Sequence, residues 1–109
     1  MRNKGLGEFE ELVLLAVCIL NENAYGISVK KEVEAHSDRS VLLGAVHITL
    51  YRLQDKGFLD SSMGGNTEKR GDRRKRLFKV TDLGMTQLKA SQDVRQKMWQ
   101  FIPQLKPGN

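Results

Sequence analysis

Apolar residues near the start of the chain fall at Phe9, Leu12, Val13, Ala16, Val17 and Leu20, the spacing of one face of a helix. Glu8, Glu10 and Glu11 in its first turn complement the positive end of the helix dipole. The other side carries Leu14, Leu15, Cys18 and Ile19, so the helix is apolar all round and is expected to be buried all round. In so short a chain, that second face is expected to meet another subunit. Asn21-Glu22-Asn23 then interrupts the pattern with turn-favouring residues. A second helix is predicted from about Tyr25 to His36, with Ile27, Val29 and Val33 as its apolar positions, and a polar turn runs from His36 to Ser40. A third helix is predicted over Leu43 to Lys56, stopped by Gly57 as a C-terminal cap. One of its faces holds Leu43, Val46, Leu50 and Leu53. The opposite face holds Gly44, Ile48, Tyr51, Arg52 and Asp55, flanked by Ala45 and His47.

After Gly57 the period changes to two. Leu59, Ser61 and Met63 alternate with Asp60 and Ser62, and later Arg76, Phe78 and Val80 alternate with Leu77 and Lys79. A polar loop bearing Gly64, Gly65, Asn66 and Gly71 separates the two runs, which predicts a hairpin with a long tip. Thr81-Asp82 is expected to cap a last helix running towards Leu105, with Leu88, Val94, Met98, Phe101, Ile102 and Leu105 as its apolar stripe. Pro103 should end or kink it. The fold class expected is mainly α with a small β-hairpin (α+β). Residues 1–81 would form a winged helix-turn-helix and residues 82–109 a dimerisation helix and tail.

Charge sharpens this picture. The net charge is +5, but it is not spread evenly. From Lys69 to Lys79 there are seven basic residues and one acid, a net +6, and the rest of the chain comes to −1. The basic cluster occupies the hairpin tip and the start of its return strand, as expected of an element that binds a polyanion. Its members are Lys69, Arg70, Arg73, Arg74, Lys75 and Arg76, with Lys79 beyond. Such a run is equally the mark of a solvated loop. Combined with the preceding amphipathic helix it acquires a mechanism: a helix fits the major groove of DNA, and arginines on a protruding loop enter the minor groove or bind phosphates. Gly44-Ala45 lets the third helix approach closely, and His47, Tyr51 and Arg52 offer hydrogen bonds. Tyr51 and Ile48 have a second reading, in which they pack beneath the hairpin.

Other classes are disfavoured. There is no phosphate-cradling Gly-Lys-Ser/Thr loop, no nucleophile motif and no clustered Cys/His pattern, so neither an enzyme nor a metal site is expected, and no cofactor. The basic tip has no aromatic residues for stacking on unpaired bases, which disfavours RNA. A non-specific nucleic-acid binder and a protein-interaction module remain as alternatives, the latter weakened by the concentrated positive charge. The longest apolar stretch, Leu12 to Leu20, is nine residues against roughly 20 for a membrane span. Met1-Arg2-Asn3-Lys4 is basic, but no small-residue cleavage site follows the apolar run. A single cysteine, Cys18, precludes an internal disulfide, and a cytoplasmic location is expected.

The segments Leu6-Gly7-Glu8-Phe9-Glu10-Glu11-Leu12-Val13-Leu14-Leu15-Ala16-Val17, Ala24-Tyr25-Gly26-Ile27, Leu43-Gly44-Ala45-Val46 and Leu50-Tyr51-Arg52-Leu53-Gln54-Asp55-Lys56-Gly57 together resemble PadR-like transcriptional regulators, in the family's order. Arg70-Gly71-Asp72-Arg73-Arg74-Lys75-Arg76 and Val80-Thr81-Asp82-Leu83-Gly84 complete the set. The resemblance implies a compact homodimeric repressor on double-stranded DNA, with Tyr25 and Gly26 at the DNA-facing entry of the second helix. It also implies that the C-terminal helix crosses to the partner's first helix. Leu15, Cys18, Ile19, Val94, Met98, Trp99, Phe101 and Ile102 would then form the interface. His47 stands where the family usually has tyrosine, and Leu42 where a capping Ser or Asn is usual; Leu77-Phe78 replaces two tyrosines. Some members respond to flat hydrophobic ligands near the dimer interface. Trp99, the only tryptophan, is thus a candidate platform for a planar effector or simply an interface packing residue.

Overall fold

The computed structural model describes residues 5–64 and 75–103. In chain order it has helices α1 (Glu8–Leu20), α2 (Gly26–Ser37) and α3 (Leu43–Asp55), strands β1 (Leu59–Gly64) and β2 (Lys75–Val80), and helix α4 (Asp82–Gln100). A short 3-10 turn, Asn21–Asn23, occupies the predicted break after α1. The chain is therefore mainly helical with one antiparallel hairpin, as the patterning predicts. Gly65, Asn66, Lys69, Arg70, Gly71, Arg73, Arg74 and Leu105 lie outside the described residues.

α1 starts where Glu10 reaches back to accept a hydrogen bond from the Gly7 amide at 2.8 Å. That bond satisfies one of the amides that a helix start leaves without a partner. The same carboxylate takes Lys56 Nζ at 2.8 and 2.9 Å, and Lys56 also donates to the Gly5 carbonyl at 3.1 Å. Burial alone would raise the Glu10 pKa; the hydrogen bonds from Lys56 and Gly7 and the charges of Lys56 and Arg52 outweigh it and hold the carboxyl below its ordinary value. Val13, Ala16 and Val17 of α1 are buried against Val29 and Val33 of α2 and Val46, Leu50 and Leu53 of α3, in one cluster closed by Phe58, Leu59 and Phe78. Each fully buried side chain of this kind contributes about 1.5–3 kcal/mol of transfer free energy.

Two expectations need correction. Leu14 belongs to this core and is fully buried within the chain, so only Leu15, Cys18 and Ile19 remain on the second face of α1. In α2 the inward positions are Gly26, Val29 and Val33, and Ile27 is exposed.

The turn between α2 and α3 is pinned by side chains. Asp38 adopts the left-handed conformation at the end of α2, and Glu34 accepts the Val41 amide at 2.9 Å. The Val41 amide and then Lys30 hold the Glu34 carboxyl below its ordinary value. Leu42 precedes α3 without any side-chain cap. The other end is closed by Gly57, at φ +86°, with Gly57 N–H bonded to Gln54 O and Phe58 N–H to Leu53 O. That is the Schellman arrangement expected of a glycine stop.

β1 and β2 pair from Leu59↔Val80 to Gly64↔Lys75. Phe78 N–H also donates to the Ala24 carbonyl at 2.9 Å, tying the hairpin to the entry of α2. Thr81 caps α4 by accepting the Gly84 amide at 3.0 Å, and its hydroxyl donates to Gly57 O at 2.7 Å. Gly84 is needed there, because a Cβ would run into the Phe58 carbonyl oxygen and lie 3.1 Å from its carbon. Leu88 is the last buried residue of α4; from Gln92 onward the helix is exposed. It ends at Gln100, ahead of Pro103, with Phe101 and Ile102 amides turned back to Met98 and Trp99 carbonyls. Proline disfavours helical geometry in the residue before it, which fits this early stop.

Candidate nucleic-acid interface

The outer ridge of α3 carries the side chains expected there. Ile48 is 61% exposed and Tyr51 45%, with Arg52 and His47 also exposed; Ala45 is half-buried at the flank. At Gly44 a Cβ would meet nothing within 4 Å, so this glycine opens the surface rather than relieving a clash. Of the two readings left open for Tyr51 and Ile48, each describes one residue. Tyr51 packs edge-on against Phe78 of the hairpin, ring centroids 5.7 Å apart, whereas Ile48 stays outside the core and its satellites.

Several residues singled out by their chemistry converge beside this ridge. Tyr25, Gly26, His47, Tyr51, Lys75 and Arg76 all line a hollow of about 210 Å³ between the start of α2, α3 and β2. His47 lies so close to Gly26 that a Cβ there would sit 2.8 Å from Nε2 and closer still to Cε1. The amide of Tyr25 is held by Ser28 Oγ at 2.9 Å, which fixes the first turn of α2. Lys75 Nζ sits 4.2 Å above the centroid of the Tyr25 ring, a cation–π contact, and Arg76 donates to Ser61 Oγ at 3.0 Å. Both basic residues are exposed at the root of the hairpin tip. Arg52 lies farther along α3, near enough to Glu10 for its charge to act there. Lys69, Arg70, Arg73 and Arg74 fall outside the described residues.

Sequence reasoning misses the pairing of His47 with Gly26 and of Lys75 with Tyr25. Each residue stands out for its own chemistry, and no local pattern records which distant partner it meets.

A second group lies on the far side of α1. Leu15 and Ile19 are exposed and Cys18 is half-buried, with burial pushing its thiol pKa up. A groove of about 420 Å³ runs between α1 and α4, lined by Leu15, Cys18, Met85, Leu88 and Gln92, and bounded by Glu11 and Arg95. Arg95 donates to Glu11 at 2.8 Å across it. Val94, Met98 and Trp99 (60% exposed) stand on the free half of α4, while Phe101 (75%) and Ile102, expected on the same helical stripe, lie just past its end. Within one chain they are not brought to Leu15 or Ile19. Among the described residues no cluster of three or more His, Cys, Asp or Glu could hold a metal ion, and no helix is long and apolar enough to cross a membrane.

Three helices, the last with an open outer ridge, followed by a hairpin with a basic root, define a winged-helix DNA-binding fold. A model of the transcriptional regulator PadR-like family matches residues 14–90, and the chain belongs to that family. No curated protein matches the chain. Among solved structures, a PadR family transcription regulator from hypervirulent Clostridium difficile superposes with a TM-score of 0.68 at 23% identity, over 87% of this chain and 98% of its own. A PadR-like transcriptional regulator from Bacillus cereus gives 0.70 at 19% identity, over 93% of each chain. A padr family transcriptional regulator from Eggerthella lenta gives 0.66 at 22% identity, over 94% of this chain and 88% of its own. At these identities the likeness is one of fold.

Proposed function

We propose that this transcriptional regulator is a repressor that binds its operator as a homodimer, with α3 in the major groove and the basic wing on phosphates or in the minor groove. The observation that carries the proposal is the meeting of His47, Tyr51, Lys75 and Arg76 around one hollow beside the exposed ridge of α3. Groove-reading and phosphate-binding groups then face the same way, as docking on a duplex demands. Residues 82–109 supply dimerisation in this reading: Val94, Met98, Trp99, Phe101 and Ile102 of one subunit cover Leu15, Cys18 and Ile19 of the other. Large apolar side chains this exposed mark a contact surface. Two copies of α3 would address half-sites about 34–36 Å apart, one turn of DNA.

A gel-shift titration tests the function, using the promoter upstream of the protein's own gene against random duplex and single-stranded RNA. Promoter binding that survives excess random competitor is the expected result. Equal affinity for all three polymers would reduce the protein to a basic nucleic-acid binder. A planar hydrophobic effector at Trp99 is the extension of this proposal, checked by tryptophan fluorescence across hydrophobic dyes and phenolic acids. An unchanged spectrum throughout the panel would leave Trp99 as interface packing alone.

A further inference from the structure

We infer that Ile48 reads a thymine methyl group, so that one A·T pair under the middle of α3 is part of what each half-site must contain. The inference rests on the DNA-binding reading above and adds to it a chemical requirement on the operator.

With about 100° of turn per residue, Ile48 lies at the centre of the exposed ridge, about 40° from Gly44 on one side and Arg52 on the other. Its neighbour Tyr51 has found a partner in Phe78, 5.7 Å away. Ile48 has not: it remains 61% exposed and belongs neither to the core nor to the hydrophobics packed on it. Gly44, one turn earlier, leaves open space where a side chain would stand. A surface approaching α3 from this side meets Ile48 on the ridge itself, about one and a half turns beyond Leu42, the exposed residue that precedes the helix. The only acid of the helix, Asp55, is its last residue, so the carboxylate lies at the end farthest from Gly44.

What Ile48 meets is limited by chemistry. Arg52 follows it one turn on along the ridge, and Lys75 and Arg76 line the hollow beside that ridge with His47, a setting of positive charge that suits a polyanion better than an apolar protein surface. An aliphatic side chain has no donor or acceptor. Pressed against guanine N7 and O6 or the cytosine amino group, it would strip water from polar atoms and give nothing back. The C5 methyl of thymine is the one apolar group that base pairs present in the major groove. Single-stranded nucleic acid would call for a free aromatic platform, whereas the ridge's aromatic, Tyr51, packs edge-on against Phe78 and the side chain left free is an isoleucine.

The test begins with the full-length protein selecting duplexes from a randomised library. Each thymine of a selected duplex is then replaced in turn by deoxyuridine, which lacks only the C5 methyl, and binding is measured by fluorescence anisotropy. At one thymine in a half-site the replacement should weaken the wild type about fourfold, the worth of one buried methyl group. The same replacement should leave the affinity of Ile48→Ala unchanged. Because Ile48 is outside the core, circular dichroism of the variant should match the wild type. Specific binding in which no thymine methyl is felt by the wild type and ignored by Ile48→Ala overturns the inference and leaves the DNA-binding reading intact. Failure to enrich any duplex over the starting library overturns both.

Discussion

Glu10→Gln should cost this protein about 2 kcal/mol of stability at neutral pH, a value between the few tenths typical of surface pairs and the roughly 3–5 kcal/mol of fully buried ones. The Glu10 side chain is 10% exposed and that of Lys56 25%. The amide would keep the Gly7 hydrogen bond but leave the Lys56 ammonium facing a neutral group, where charge-assisted bonds of 2.8 and 2.9 Å had been. Water reaches Lys56 from its exposed side, which is why the full buried-pair penalty is not expected. In urea, with m of about 1–2 kcal/mol/M for a chain of this size, the midpoint should fall by about 1–2 M. The protein concentration must be held fixed, since the proposed self-association would add to apparent stability.

The pH dependence supplies a second, sharper arm. The folded Glu10 pKa is lowered, so its contribution to stability is fully present above the unfolded carboxyl value, about 4.3, and is lost as the pH falls through the folded value beneath it. The wild type should lose stability faster than Glu10→Gln as the pH drops from neutral into that window, and the two should converge at its acid end. Equal urea midpoints at neutral pH, or parallel pH profiles, would refute the assignment of this pair as a stabilising one.

Gly26→Ala drives a Cβ into the His47 ring, whose rim is a flexible side chain, so thermal stability should change little while DNA affinity falls several-fold in anisotropy titrations; unchanged affinity would remove His47 from the interface. The double substitution Arg73→Ala with Arg74→Ala should lower the slope of log affinity against log salt by about 1 for each phosphate no longer bound, and an unaltered slope would exclude the wing from binding. Leu15→Glu should yield monomers in light scattering, because this exposed residue would bury an unpaired charge at the proposed dimer contact. A dimeric Leu15→Glu would refute the placement of that face.

The elements were legible wherever side chains alone specify a period or a stop. The helical spacing of Val46, Leu50 and Leu53, the Gly57 cap and the Thr81 cap are local facts of sequence, and each is found as expected. Periodicity misplaces Leu14 because an all-round apolar helix gives no ranking of its faces: the core takes Leu14 and leaves Leu15 and Ile19 outside. Ile27 is misplaced by periodicity for the opposite reason. The inward stripe of α2 is Gly26, Val29 and Val33, and a glycine adds no hydrophobic weight by which a periodicity could find it. Its inward position follows from His47 lying against it, a contact between two helices that no window along the chain contains.

α1 joins the proposed reading helix to the proposed dimer face. Val13 and Val17 pack in the same core as Val46 and Leu50 of α3, while Glu10 grips Lys56 just past the end of that helix. α1 thus holds α3 at two places, through apolar packing and through an ion pair, and close-packed groups transmit displacement rather than absorb it. The opposite side of α1 carries Leu15 and Ile19, which the proposed partner helix would cover. In the proposed dimer, a partner that shifts α1 would shift α3 with it, and the spacing of the two proposed reading ridges would change as a unit. On this reasoning Glu10→Gln, studied well below its unfolding midpoint, should retain the dimer mass and still bind the operator more weakly. Undiminished affinity in a folded, dimeric Glu10→Gln would mean that the core alone fixes α3 and that the ion pair acts on stability only.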